Sequence, residues 1–285
     1  MWLTLAVLMG VSGCSTIKLA YNNSDDLIYW WLDSYADLQG EQKPFTRNAL
    51  ADLQRWHRQQ QLPEYVALLK RMQAMAPNDI TPAQVCAVTE DMKTSFVTLL
   101  RYVEPVNTQL ASQLKPDQLR SIRQRFDKTN QEWRADWLDP SREDQLRYRN
   151  KLALSRIEDF YGHLDTPQRE AIRLWIASSM FDPAKSYAER QRRQVDTLQT
   201  LQRITQEGVG STGAQTKSQA LLRGLTERTL NSPNEGYRAY SDALRLENCE
   251  GFAKLHNLTT TEQRQHLVAS LQGYEQDFKA LMAQK

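Results

Sequence analysis

Apolar positions recur along most of this chain with the period of an α-helix. Leu119, Ile122, Phe126, Trp133 and Trp137 come at three- and four-residue steps, with one longer step across Thr129 and Asn130. The same spacing gathers Leu146, Ala153, Ile157, Phe160 and Leu164 on one stripe and Val85, Val88, Met92, Phe96, Leu99 and Val103 on another. Leu267, Leu271, Tyr274, Phe278 and Leu281 form a further one. Side chains three and four residues apart share a helix face, so each set predicts an amphipathic helix. Leu27, Trp30, Trp31, Ser34 and Leu38 predict a first helix over residues 25–38, with Asp25 and Asp26 at its positive N-terminus. No run of alternating β-branched residues competes. The pattern reads as all-α, a multi-helix bundle or array, with Trp30, Phe126, Trp133, Phe160, Trp175, Leu271 and Phe278 buried. For the Tyr29-Trp30-Trp31 triplet, core packing is the first reading and contact with a membrane interface the second.

The helix entries share a grammar. Ile80 to Gln84, Leu114 to Gln118 and Leu164 to Gln168 each place a hydrophobe four residues before a glutamine. Leu38 to Gln42 has the same spacing, and Leu258 to Gln263 stretches it by one. A Thr or Asp caps free amides, Pro occupies the first turn, and Gln reaches back as in a capping box. The intervals between boxes are irregular, so the reading is shared capping chemistry and not a solenoid repeat. A break falls at residues 206–218, which hold three of the eleven glycines and predict a flexible loop. The polar helix before it has only a narrow apolar seam and is expected to project from the body.

The beginning of the chain breaks the pattern. Residues 1–13 carry no charge and end in Val11-Ser12-Gly13 before Cys14. The run is too short to span a bilayer, but it fits the apolar core of a signal peptide. A cysteine directly after it reads as a lipobox, which predicts diacylglyceryl transfer to Cys14 and cleavage before it. Residues 1–13 are then the signal peptide, 14–24 a lipidated tether, and 25–285 a single helical periplasmic domain. Ser15, rather than Asp, comes after Cys14 and points to the periplasmic face of the outer membrane, where palmitate and other acyl chains would hold the protein. No Lys or Arg precedes Lys18, which departs from an ordinary signal peptide and places the expected translation start upstream.

Charge narrows the partners. Thirty-six Lys and Arg against thirty-four Asp and Glu leave +2, too weak a field for nucleic acid. The short basic patch from Arg190 to Gln194 reads as a solvated face or a contact with anionic lipid. His57, His163, His256 and His266 never stand at a three- or four-residue step, so no metal site is expected. No phosphate loop or Gly-x-Ser-x-Gly elbow occurs, and no cofactor is expected. Carboxylate pairs such as Glu158-Asp159 and Glu90-Asp91 fit solvated faces better than a glycosidase cleft. With Cys14 acylated, Cys86 and Cys249 remain as an even pair in an oxidising compartment. A bridge between them closes a long loop, worth up to about 5 kcal/mol by chain entropy. Two separate buried thiols are the other reading.

Residues 13–23, then "YWWLDSYADL" from Tyr29, "RWHRQQQLPEY" from Arg55, "ITPAQVC" from Ile80, "WRADWLDP" from Trp133 and "LHNLTTTEQR" from Leu255, resemble a family of uncharacterised proteobacterial lipoproteins. That resemblance spans essentially the whole chain after Cys14 and implies a helical, lipid-anchored envelope protein without an assigned activity. Ile80 to Gln84 is also similar to the Leu-Thr-x-x-Gln box of Spy-like periplasmic helical chaperones. Lys115 and Asp165 depart from that box in the other two copies. The expected role is non-enzymatic, through contacts with the membrane and an envelope protein partner. A Spy-like holdase is the alternative and a cell-wall-active enzyme the second.

Overall fold

The structure, a computed structural model, describes residues 14–207 and 212–284. Among these every regular element is helical. α1 (Cys14–Asn22) and α2 (Ser24–Ala36) lead into α3 (Gln42–Trp56), which runs through a π-helical turn (His57–Gln61) into α4 (Leu62–Met75). Next come α5 (Pro82–Ser112), α6 (Pro116–Trp137), α7 (Arg142–Tyr161) and α8 (Thr166–Ser178). α9 (Pro183–Glu207), α10 (Thr212–Leu230), α11 (Glu235–Asn257) and α12 (Thr261–Met282) complete the array. The π turn has a local cause. Pro63 carries no N–H to return to the carbonyl of Gln59, and Leu62 N–H instead reaches back five residues to His57 O.

Leu164, Ile172, Leu255, Leu267 and Leu271 close one buried cluster where α7, α8, α11 and α12 meet. Tyr29, Leu38 and Leu50 close a second where α2 packs on α3. α12 also lies along α4, and α11 along α5, so the last three helices are interleaved with the first half. A disulfide between Cys86 on α5 and Cys249 on α11, with α-carbons 5.5 Å apart, adds a covalent link across 163 positions.

The five hydrophobe–glutamine boxes explain much of this arrangement. In each, the glutamine Oε1 accepts the N–H one residue after the hydrophobe: Gln39 at 2.9 Å, Thr81 at 2.8 Å, Lys115 at 3.0 Å, Asp165 at 3.0 Å and Thr260 at 2.9 Å. The last of these corrects the sequence register. Buried Thr259, not half-exposed Leu258, occupies the hydrophobe's place in the fifth box, so its spacing is not stretched. Four of the glutamines then do more than cap. Gln42 and Gln118 exchange amide hydrogen bonds at 3.1 and 2.8 Å, and Gln168 and Gln263 do so at 2.7 and 2.8 Å. Each also donates to a carbonyl just ahead of the partner box, at Gln113, Asp37, Leu258 and His163 respectively. Helix starts far apart in sequence are thereby clamped two by two, α3 to α6 and α8 to α12.

Several expectations are corrected. Within the segment expected as the lipidated tether, 14–24, α1 is helical and packs on α12, where Lys18 meets Asp277 at 3.3 Å. Trp30 is 61% exposed, not buried, because α2 docks with Tyr29, Leu32 and Ala36 inward. Leu271 is buried, while Phe126, Trp133, Phe160, Trp175 and Phe278 are only half-buried. These rings lie in seams between helices, as where Trp133 stacks on Tyr187 with centroids 5.3 Å apart. Of the stretch 206–218, residues from Thr212 onward are helical, and residues 208–211 lie outside those described. α9 does not project. It packs between α6 and α10, and some of its polar side chains form a buried network. Glu189, 4% exposed, binds Arg192 at 2.8 Å, Arg193 at 3.0 Å and Ser232 at 3.0 Å. Burial opposes ionisation of this carboxyl, but the hydrogen bonds outweigh it and hold its pKa below the ordinary value.

Candidate functional site

The expected signal segment 1–13 lies outside the described residues, as does the side chain of Cys14. The helices just after Cys14 build an apolar surface. Leu27, Trp30 and Trp31 stand at i, i+3 and i+4 on α2 and are 58%, 61% and 57% exposed. Leu19 on the preceding helix is exposed as well. The opposite face of α2 is fixed. Tyr29 is buried with the Arg47 guanidinium 3.7 Å above its ring, and Arg47 in turn binds Asp26 at 2.8 Å. Trp31 rests on Tyr35, with ring centroids 4.9 Å apart. The two tryptophans are therefore held outward by a rigid backing rather than left on a loose end.

The basic patch is not a free positive surface. Arg190 binds Asn130 at 2.8 Å and Thr129 at 3.0 Å, and Arg192 and Arg193 are committed to Glu189. The histidines are likewise apart. His57 is half-buried beside Tyr21, whose hydroxyl lies 3.1 Å from its Nδ1, and burial lowers its pKa. His266 Nδ1 bonds to the carbonyl of Phe160 at 2.8 Å, and His163 is exposed. No group of three or more His, Cys, Asp or Glu among the described residues is placed to hold a metal ion. Glu158 bonds to Arg169 and to the N–H of Leu164, while Asp91 pairs with Arg71, so the paired carboxylates of the sequence serve separate contacts.

One buried polar pair was not legible in the sequence. His256, 1% exposed, has Nε2 2.9 Å from Asn78 O, which only accepts, so Nε2 carries the proton. Its Nδ1 then accepts from the Tyr161 hydroxyl at 2.7 Å. Burial raises the Tyr161 pKa strongly and lowers that of His256, which keeps both neutral. They border an apolar cavity of about 220 Å3 lined by Met72, Met75, Val85, Phe252 and Leu267. With both groups bonded to protein, the cavity offers apolar contact and no free acid or base. The bridge between Cys86 and Cys249 joins α5 and α11, which both contribute to its walls.

No helix among the described residues is long and apolar enough to cross a membrane. No curated protein and no solved structure matches the chain. The model of a family of unknown function, DUF6279, matches residues 34–224, well over half of the sequence, and the protein belongs to that family.

Proposed function

We propose that this protein is a lipid-anchored, non-enzymatic component of the bacterial envelope, held on the periplasmic face of the outer membrane and acting through an envelope protein partner. In this reading residues 1–13 are a signal peptide and Cys14 is the acylated N-terminus. The observation that carries it is the outward face of Leu27, Trp30 and Trp31 on α2, close in sequence to Cys14. Tryptophan favours the membrane interface, where the ring is sheltered and the indole N–H stays wet. Several acyl chains supply the anchor, at about 0.8 kcal/mol per buried CH2, and the aromatic face sets how the body lies on the surface.

Fluorescence quenching tests the orientation. The protein is bound to phospholipid vesicles brominated high on the acyl chains, beside a Trp30→Phe/Trp31→Phe variant. Quenching of the wild type, largely lost in the variant while Trp56, Trp133, Trp137 and Trp175 remain, is the expected result. Equal fractional quenching of both, or none of either, overturns it.

A further inference from the structure

Between α4 and α5 lies an open groove of about 600 Å3 that neither the anchor nor the aromatic face uses. It begins at the π turn, where the widened backbone sets Gln60 and Gln61 along one rim. Such turns are rare and recur at functional sites. Gln61 is 5% exposed, yet its amide has no hydrogen-bond partner among the described residues. Gln61 lines the groove, so its amide leaves a donor and an acceptor there for a ligand that can both donate and accept. The rest of the lining suits the same chemistry. Trp56 forms a platform braced from behind by Tyr102, stacked 4.0 Å away at 10°. Thr94 and Thr98 add hydroxyls along α5, and Glu64 adds a carboxylate without an ion-pair partner among the described residues.

We propose that this groove binds a saccharide. A sugar ring offers an apolar C–H face to Trp56 and a rim of hydroxyls that donate to Glu64 and both donate to and accept from the Gln61 amide. The weak net charge of the groove, with Asp91 already paired to Arg71, gives little to a strongly charged ligand. The inference is independent of acylation at Cys14.

Ligand-observed saturation-transfer NMR on the purified full chain tests it, with chitotetraose and maltotetraose as saccharide probes and trilysine as a cationic competitor. Binding of at least one saccharide below about 10 mM is expected, weakened about tenfold or more by Gln61→Leu and by Trp56→Ala. Gln61→Leu breaks no side-chain hydrogen bond among the described residues, so its unfolding midpoint should stay close to that of the wild type, which separates lost binding from lost fold. No saccharide binding by the wild type overturns the proposal. So does undiminished binding by Gln61→Leu, or binding of trilysine in preference to both sugars.

Discussion

Replacing Gln118 by Ala separates clamping from capping, because the same box occurs elsewhere without a partner. Gln118 is fully buried and donates to Ala36 O at 2.9 Å and Asp37 O at 3.0 Å while accepting from Lys115 N–H at 3.0 Å. Its partner Gln42 keeps the Gln113 carbonyl and the Gln39 N–H after the change. Three backbone groups therefore lose this partner, and at about 1 kcal/mol each the substitution costs roughly 3 kcal/mol. Gln84 occupies the equivalent place in an exposed box and bonds only within its own turn, to the N–H and hydroxyl of Thr81. Gln84→Ala should cost about 0.5–1 kcal/mol, the value of a cap. Urea unfolding at constant m-value reads both. A double-mutant cycle with Gln42→Ala should show a coupling of about 1 kcal/mol, as for directly bonded neighbours. Equal costs at Gln84 and Gln118, or no coupling to Gln42, would refute the clamp.

Packing and burial predict two further outcomes. Gly251 on α11 touches Trp175 so closely that a Cβ would lie 2.1 Å from the ring. Gly251→Ala should therefore destabilise by about 1–3 kcal/mol, where an open helix site would gain about 1; a rise in the thermal midpoint would contradict this. The second concerns acid. His256 and His57 both have pKa values lowered from 6.5 by burial, so the unfolded chain binds more protons between the folded values and 6.5. Their contribution is complete above pH 6.5 and is lost as pH falls from there through the lowered folded values. Glu104, held low by Arg223, and Asp196, held low by Arg228, act with the same sign at more acid pH. The thermal midpoint should fall from pH 7.5 to 5.5, and His256→Gln should flatten that slope; an unchanged slope would contradict the assignment.

Helix content was legible because the spacing of Leu119, Ile122 and Phe126, or of Leu267 and Leu271, is a local property. Cysteine pairing was legible by counting. The face of α2 was not, since Leu27-Trp30-Trp31 and Tyr29-Leu32-Ala36 are both apolar stripes. Arg47 over Tyr29 and the packing of α3 decide between them, and neither is local. The polar residues of α9 misled for a related reason. Polar spacing looks the same whether Glu189 and Arg192 face water or each other. The boxes were visible as spacing, but their pairing depends on where distant helix starts meet. Thr259 hid the fifth register because a threonine fills a leucine's place there. The groove rim had one signal, Pro63, whose missing N–H opens the π turn beneath Gln60 and Gln61.

Labelled-palmitate incorporation at Cys14 bears most directly on the envelope role. The chain is expressed with basic residues ahead of its apolar run, alongside Cys14→Ala, and both are labelled and fractionated between membrane and soluble pools. Acylation predicts label and membrane association in the wild type and the loss of label from Cys14→Ala. Label that persists in Cys14→Ala, or a wild type that takes up none, would contradict it.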